Sequence, residues 1–402
     1  MAKKLVILAL LIGVIALPLL LRHETGPRAK GLDRIVILSP HSEAVCDEFD
    51  LGFRAWYAAR TGRSIDIDWR HPGGLTESVK VVRTLYENAF KNYWENLLNR
   101  DWTPQVAHNF LDASIILPKN PAEDSIAQSA RRAFLESNIS CGIDVFFGGG
   151  AREFDSLMQE GFFMTTELAA RNPEWFQEGS FPLELYGDAL RDSTGTWFGT
   201  VFTTFGIVYN RDVLDSMGLH EVPQYWSQIA SGRFFGEVAL CDPSKSGSAR
   251  KAFELMIQEA MYRKKLALEQ AGEPADLANK QAQIEGWISG LKLIQRISAN
   301  ARYFTDKSTK PTLDVSAGDC AVGMSIDYYG LSQAQSVWER SGSTRFGYLT
   351  PTIGSASEAD PIAVLRGANN PLIALAFLEY VLSEQGQKLW AFQAGAPGGP
   401  QK

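Results

Sequence analysis

Residues 236–257, GEVALCDPSKSGSARKAFELMI, pass from a short apolar run through a turn rich in small polar residues into a long apolar-periodic stretch. The run VALC is strand-like and the stretch from Ala249 is helix-like, and Asp242-Pro243-Ser244 between them is turn chemistry. The same order recurs at 142–160, GIDVFFGGGAREFDSLMQE. It recurs again from Asp33, where DRIVIL turns at Ser39-Pro40-His41-Ser42 into the periodic stretch 44–59 and then the alternating strand SIDIDWR. Strands alternating with helices of this length predict an α/β protein with doubly wound parallel sheets. Ligands of such sheets sit beyond the carboxyl ends of the strands, where loops hand over to helix N-termini.

The chain has 402 residues, 45% hydrophobic and 21% charged, with a formal charge of −7. That length implies two to three lobes. The acidic balance lacks the basic footprint of a nucleic-acid partner. Lys3 and Lys4 precede Leu5–Leu21, a run with no polar side chain, and Arg22 and His23 follow. This is an export signature, and its length suits either a cleaved signal or a retained anchor. Residues 1–32 are therefore read as signal or anchor plus linker, and the periplasm or cell envelope as the destination. Export permits disulfides. Cys241 and Cys320 lie in two strand-like segments of one region and form the candidate bridge, with four free buried thiols as the alternative.

Between 79 and 134 the pattern changes to an amphipathic helix and a proline-punctuated stretch, read as a helical insertion in the first lobe. Tyr86, Phe90, Tyr93 and Trp94 stand there at helical spacing and are expected to be core. No phosphate-binding loop, zinc-protease or nucleophile-elbow motif occurs, so catalysis has no motif support.

Four handovers place hydrogen-bond donors or hard oxygen ligands where a small anion or metal would sit. Ser39 and His41 form the first, Gly148, Gly149 and Gly150 the second, and Ser246, Gly247 and Ser248, opening a long helix, the third. The fourth is Asp327-Tyr328-Tyr329, read as the end of a buried strand, where two adjacent phenols could serve a metal as phenolates or a solute as donors.

From about Asp33 onward the chain resembles the type II periplasmic solute-binding proteins of bacterial ABC importers, within them the ferric-ion-binding group and its relatives for phosphonates and sugar phosphates. The resemblance rests on FGIVYNRDVLDSMGL (205–219), VPQYWSQIASGRFFGEVALCDPSKSGSA (222–249), GDCAVGMSIDYYG (318–330) and PIAVLRGANNPLIALAFLEYVLSEQGQKL (361–389). It implies a two-lobed fold with a ligand cleft between doubly wound lobes. Lobe 1 would be 33–203 completed by 345–380, and lobe 2 would be 204–344 completed by 381–402. The crossing strands would be 197–210 and 346–351.

It also implies a monomer that delivers a small-molecule or metal ligand to a membrane permease, performs no chemistry and needs no cofactor. By the same resemblance His41, Tyr328 and Tyr329 would bind metal if the cargo is ferric iron, and 246–248 would hold an accompanying anion. The iron binders carry a ligand glutamate where this chain has glycine around Gly149, a departure that favours an organic anion. A periplasmic enzyme or a ligand-sensing subunit on the same fold is the alternative.

Overall fold

A computed structural model describes residues 32–401 apart from 178 and 186. Strand β1 (Asp33–Leu38) leads into helix α1 (Glu43–Thr61) and strand β2 (Ile65–Arg70), followed by α2 (Leu75–Asn92), α3 (Ile126–Glu136), β3 (Val145–Phe147) and α4 (Ala151–Glu160). β1 pairs parallel with both β2 and β3, which builds the first sheet. Alternate β1 residues face opposite sides. Val36 and Leu38 join Tyr86, Phe90 and Phe134 under α2 to α4, while Ile35 and Ile37 join Phe49 and Phe53 of α1. The aromatics of the helical insertion are core: Tyr86 and Phe90 are fully buried, Trp94 nearly so, and Tyr93 packs against them.

The 14-residue strand β4 (Trp197–Asn210) joins the lobes. β5 (Val238–Cys241), α5 (Gly247–Gln270), α6 (Ala275–Ala299), β6 (Ala301–Thr305), α7 (Lys310–Ala317), β7 (Val322–Ile326) and α8 (Asp327–Ser341) then form the second lobe. Its sheet pairs β5 parallel with β6 and β7. The chain returns through β8 (Phe346–Leu349) and β9 (Ser357–Val364) and ends with α9 (Pro371–Leu382) and α10 (Glu384–Ala391).

The strand order is β2-β1-β3-β9-β4-β7-β5-β6, with β8 also on β4. β4 changes partners along its length: up to Thr204 it pairs antiparallel with β9, from Phe205 with β7, and from Ile207 also with β8. One strand therefore belongs to both sheets. A two-lobed α/β fold with a crossing strand results, the parallel pairs of each lobe being completed by antiparallel crossing strands.

Three expectations need correction. The assignment of 345–380 to the first lobe fails at its start, because β8 pairs with Ile207–Asn210 and Phe346 packs with Val208, Ala239 and Val315 of the second lobe. Residues 381–402 were assigned to the second lobe, but Val381, Leu389 and Trp390 pack with Phe49 and Phe377 in the first, because the apolar face of α10 lies against α1. The Cys241–Cys320 bridge is absent, and all four thiols are free and buried. The parallel register that pairs Val238 with Val322 sets Cys241 level with Ser325, well past Cys320 along the strand. No described helix is long and apolar enough to cross a membrane. The export run 5–21 and the rest of 1–31 lie outside the described residues.

Candidate ligand cleft between the lobes

The parallel strands of both lobes end at the same gap, so their following helices aim their N-termini into it. There the lobes enclose a cavity of about 570 Å³.

The first-lobe wall is tied together internally. His41 Nε2 donates to Asp360 Oδ2 at 2.7 Å, and its Nδ1 lies 3.1 Å from the Ser39 hydroxyl. The second oxygen of Asp360 accepts from the Gly149 N–H at 2.7 Å. Gly148 and Gly149 have φ of 102° and 145°, a region that favours glycine, and a Cβ on Gly148 would lie 2.5 Å from the His41 ring. The triple glycine thus lets the loop close over the histidine and delivers one of its amides to Asp360.

The second-lobe wall is the start of α5. Ser246 caps the helix by accepting from the Ala249 N–H, leaving the N–H groups of Gly247 and Ser248 at the cavity, where the helix itself offers no acceptor. Lys307, Ser308 and Thr309, just before α7, line the same side.

The lobes are closed on each other. Arg250 pairs with Glu153, Lys251 with Asp188 at 3.9 Å, and Lys245 with Glu77 at 3.9 Å, each joining a second-lobe cation to a first-lobe acid. Backbones meet as well: a Cβ on Gly74 would stand 2.8 Å from the Lys245 carbonyl oxygen.

The adjacent tyrosines part company because the strand ends one residue earlier than its apolar run suggested. α8 begins at Asp327, so Tyr328 and Tyr329 are successive helical residues about 100° apart. Tyr329 lines the cavity, and burial raises its phenol, with the nearby Asp360 carboxylate adding to the effect. Tyr328 packs edge-on against Trp390 of α10, centroids 5.2 Å apart, and burial there pushes its phenol up to about 12. Asp327 turns inward: its carboxylate accepts from the Thr204 N–H and hydroxyl, both at 2.9 Å, and so fixes α8 to the crossing strand.

Of the residues singled out in the sequence, His41, Gly149, Gly150, Ser246, Gly247, Ser248 and Tyr329 line the cavity. Ser39, Gly148, Asp327 and Tyr328 do not; they support its walls from behind. Three contributions went unread. His71-Pro72-Gly73-Gly74 is a further strand-to-helix handover of the same kind as the four recognised. Lys307-Ser308-Thr309 follows β6, whose three central residues are exposed, so no buried apolar run announces it. Glu358 and Asp360 enter from β9 and carry no local turn signal.

Residues 135–399 match the sequence profile of the bacterial extracellular solute-binding proteins. The chain belongs to this family. An uncharacterized protein of Haemophilus influenzae is 23% identical over 247 residues, 61% of this chain and 60% of its own, so the chain spans about 60% of the length of this curated relative.

Among solved structures this solute-binding protein is similar to the periplasmic binding protein AfuA of Actinobacillus pleuropneumoniae with fructose-6-phosphate bound (TM-score 0.54, 14% identity, covering 89% of this chain and 81% of that one). It is also similar to the apo ferric ion-binding protein A of Pasteurella haemolytica (0.51, 13%, 89% and 82%). A putative extracellular solute-binding protein of Bordetella parapertussis gives 0.50 at 15% identity, with 89% and 83% covered. At such identities the likeness establishes the two-lobed fold of periplasmic binding proteins. It also accords with the crossing strand and interlobe cavity described above.

Proposed function

We propose that this chain is the exported solute-binding component of an ABC import system, that it presents its closed form to a membrane permease as a monomer, and that its solute is a small organic anion. The observation that carries the reading is the closed cavity with helix N-termini converging from both lobes. N–H groups and dipoles at several helix starts favour negative charge in one small volume. The crossing strands supply the mechanism: β4 and the β8–β9 return are the main-chain links about which the lobes part, the hinge class of motion. Solute bound to both walls stabilises the closed arrangement by its preference for it.

Ferric iron is the second reading, favoured by His41 and Tyr329 lining one cavity. Hard-cation binding calls for several oxygen donors in one place. Tyr328 lies on Trp390, the Nε2 of His41 is engaged by Asp360, and burial opposes ionisation of Tyr329. Among the described residues no three His, Cys, Asp or Glu side chains gather as a metal site. These features favour the organic anion.

The test is a thermal-shift and calorimetric panel of phosphate esters, including fructose-6-phosphate, against ferric citrate, on the wild type and Ser248→Asp. The substitution places a fixed anion at the helix N-terminus, where helix stability tolerates it. Binding of a phosphate ester that the substitution lowers by tenfold or more supports the proposal. Tight iron binding that the substitution leaves intact overturns the organic-anion assignment.

A further inference from the structure

We propose that Glu358 reads the donor-bearing end of the solute, so that the anion this cleft prefers also carries an ammonium or hydroxyl group. The inference rests on the reading of the cavity as an anion-binding cleft and specifies its other end.

Glu358 and Asp360 stand two residues apart on β9, hence on one face of the strand, and both line the cavity. Their situations differ. Both oxygens of Asp360 are engaged by His41 and Gly149. The Glu358 side chain accepts no hydrogen bond and joins no ion pair among the described residues; its backbone pairs with Thr203 in the sheet, and its carbonyl also accepts from the Thr203 hydroxyl. Its carboxylate lies against Gly150, where a Cβ would come within 3.3 Å of Oε1.

The groups facing it are Glu153 from α4, Asp188 from the short ribbon that pairs 184–185 with 188–189, and Glu254 and Lys251 from α5. The neighbouring cations are committed elsewhere, Lys251 to Asp188 and Arg250 to Glu153. The cavity is therefore dipolar, with N–H groups and hydroxyls at Gly247, Ser248, Ser308 and Thr309 at one end and, at the other, the Glu358 carboxyl, which the Lys251 charge offsets only in part.

Desolvation, opposed by the charge of Lys251 and aided by Glu153, Asp188 and Glu254, pushes the Glu358 carboxyl up to about 7. Glu358 is half-buried at the cavity wall. A carboxylate placed there without a partner loses part of its hydration, and a hydrogen bond or cation brought by the solute offsets that loss. A solute that is only an anion leaves it in place. A zwitterionic or hydroxylated anion satisfies both ends at once.

Two matched probes separate the ends: ethyl phosphate, an anion with an inert tail, and ethanolamine phosphate, the same anion with an ammonium tail. Their dissociation constants are measured by calorimetry from pH 5.5 to 8 on the wild type, Glu358→Gln and Glu358→Ala, with thermal melts confirming that each variant folds. Wild-type protein is expected to favour ethanolamine phosphate by about 10- to 100-fold, the range of a hydrogen bond to a charged group. That preference grows as pH rises through about 7 and Glu358 ionises, while the ethyl phosphate control carries the titration of the phosphate itself. Both variants should bring the ratio near one and remove its pH dependence. Binding of both esters with equal affinity, or an equal loss of both in the variants, overturns the role of Glu358 and leaves the anion-binding cleft standing. Binding of neither ester overturns the anionic reading and this inference with it.

Discussion

The two walls of the cleft are built from the same grammar of strand, polar turn and helix, yet they finish differently. In the first lobe the turn residues are consumed by one another: Ser39, His41, Gly149 and Asp360 form a connected set of hydrogen bonds, backed by Phe147 and Trp390. In the second lobe one hydroxyl, that of Ser246, satisfies the helix start, and the adjoining amides and hydroxyls stay at the cavity. The first wall is tied together internally, and the second presents donors that the helix itself does not use. On the proposed function, a solute would be met by the fixed surface and then clasped. The cations of the clasp, Lys245, Arg250 and Lys251, all lie at or near the start of α5.

The comparison breaks most readily at Asp360. Asp360→Ala leaves the buried donors of His41 and Gly149 unsatisfied at about 1–3 kcal/mol each. Ser246→Ala, the corresponding loss in the second wall, removes one cap and costs about 1 kcal/mol. Urea unfolding should therefore show the first substitution to be clearly the more damaging; equal losses would remove the distinction between a tied wall and an open one.

Next in size is a pH effect. The Glu358 carboxyl is raised from 4.5 to about 7 in the folded chain, so the native state holds a proton that the unfolded state releases between those values. Its contribution to stability is present below about pH 4.5 and is lost as pH rises through about 7, by no more than about 3 kcal/mol. Glu358→Gln should remove this decline in the solute-free protein, which melting curves across that range, compared between the two proteins, will reveal. Parallel curves would contradict the picture of an unpaired carboxyl in the closed cleft.

Tyr328→Ala tests the contact that crosses between the lobes behind the cavity. Edge-on aromatic pairs contribute about 0.5–1.5 kcal/mol beyond their area. Its loss should enlarge the radius of gyration of the solute-free protein in small-angle scattering, while Tyr329→Phe leaves it unchanged. The smallest effect is expected at the clasp. The Arg250–Glu153 pair is partly exposed, so Arg250→Gln should cost about 0.2–1 kcal/mol of closure, more at low salt than at high. A salt-independent loss would point to packing instead.

Much of this fold could be read from the chain because strand, turn and helix follow one another locally, and FFGGGA and DPSKSGSA announce their own handovers. Which of those residues reach the cavity was less legible, since that depends on where a helix starts. One residue of difference, at Asp327, separates Tyr328 from Tyr329 by a third of a turn and sends one to Trp390 and the other to the cleft. Glu358 and Asp360 could not be found locally. Their strand acquires its place only when β9 pairs with β3 and β4, a contact between segments more than 150 residues apart. The same applies to α10, whose sequence fits either lobe and whose packing on α1 decides the matter.

On the proposed function the interlobe cleft holds a small organic anion. The test is native mass spectrometry of the protein expressed from the full chain with its own export run, purified from the cell envelope without added solute and compared with the denatured chain. A mass excess that vanishes on denaturation and fragments as an organic anion carrying an amine or hydroxyl group is expected. A stoichiometric excess equal to one iron, retained by Ser248→Asp and lost in Tyr329→Phe, would contradict it.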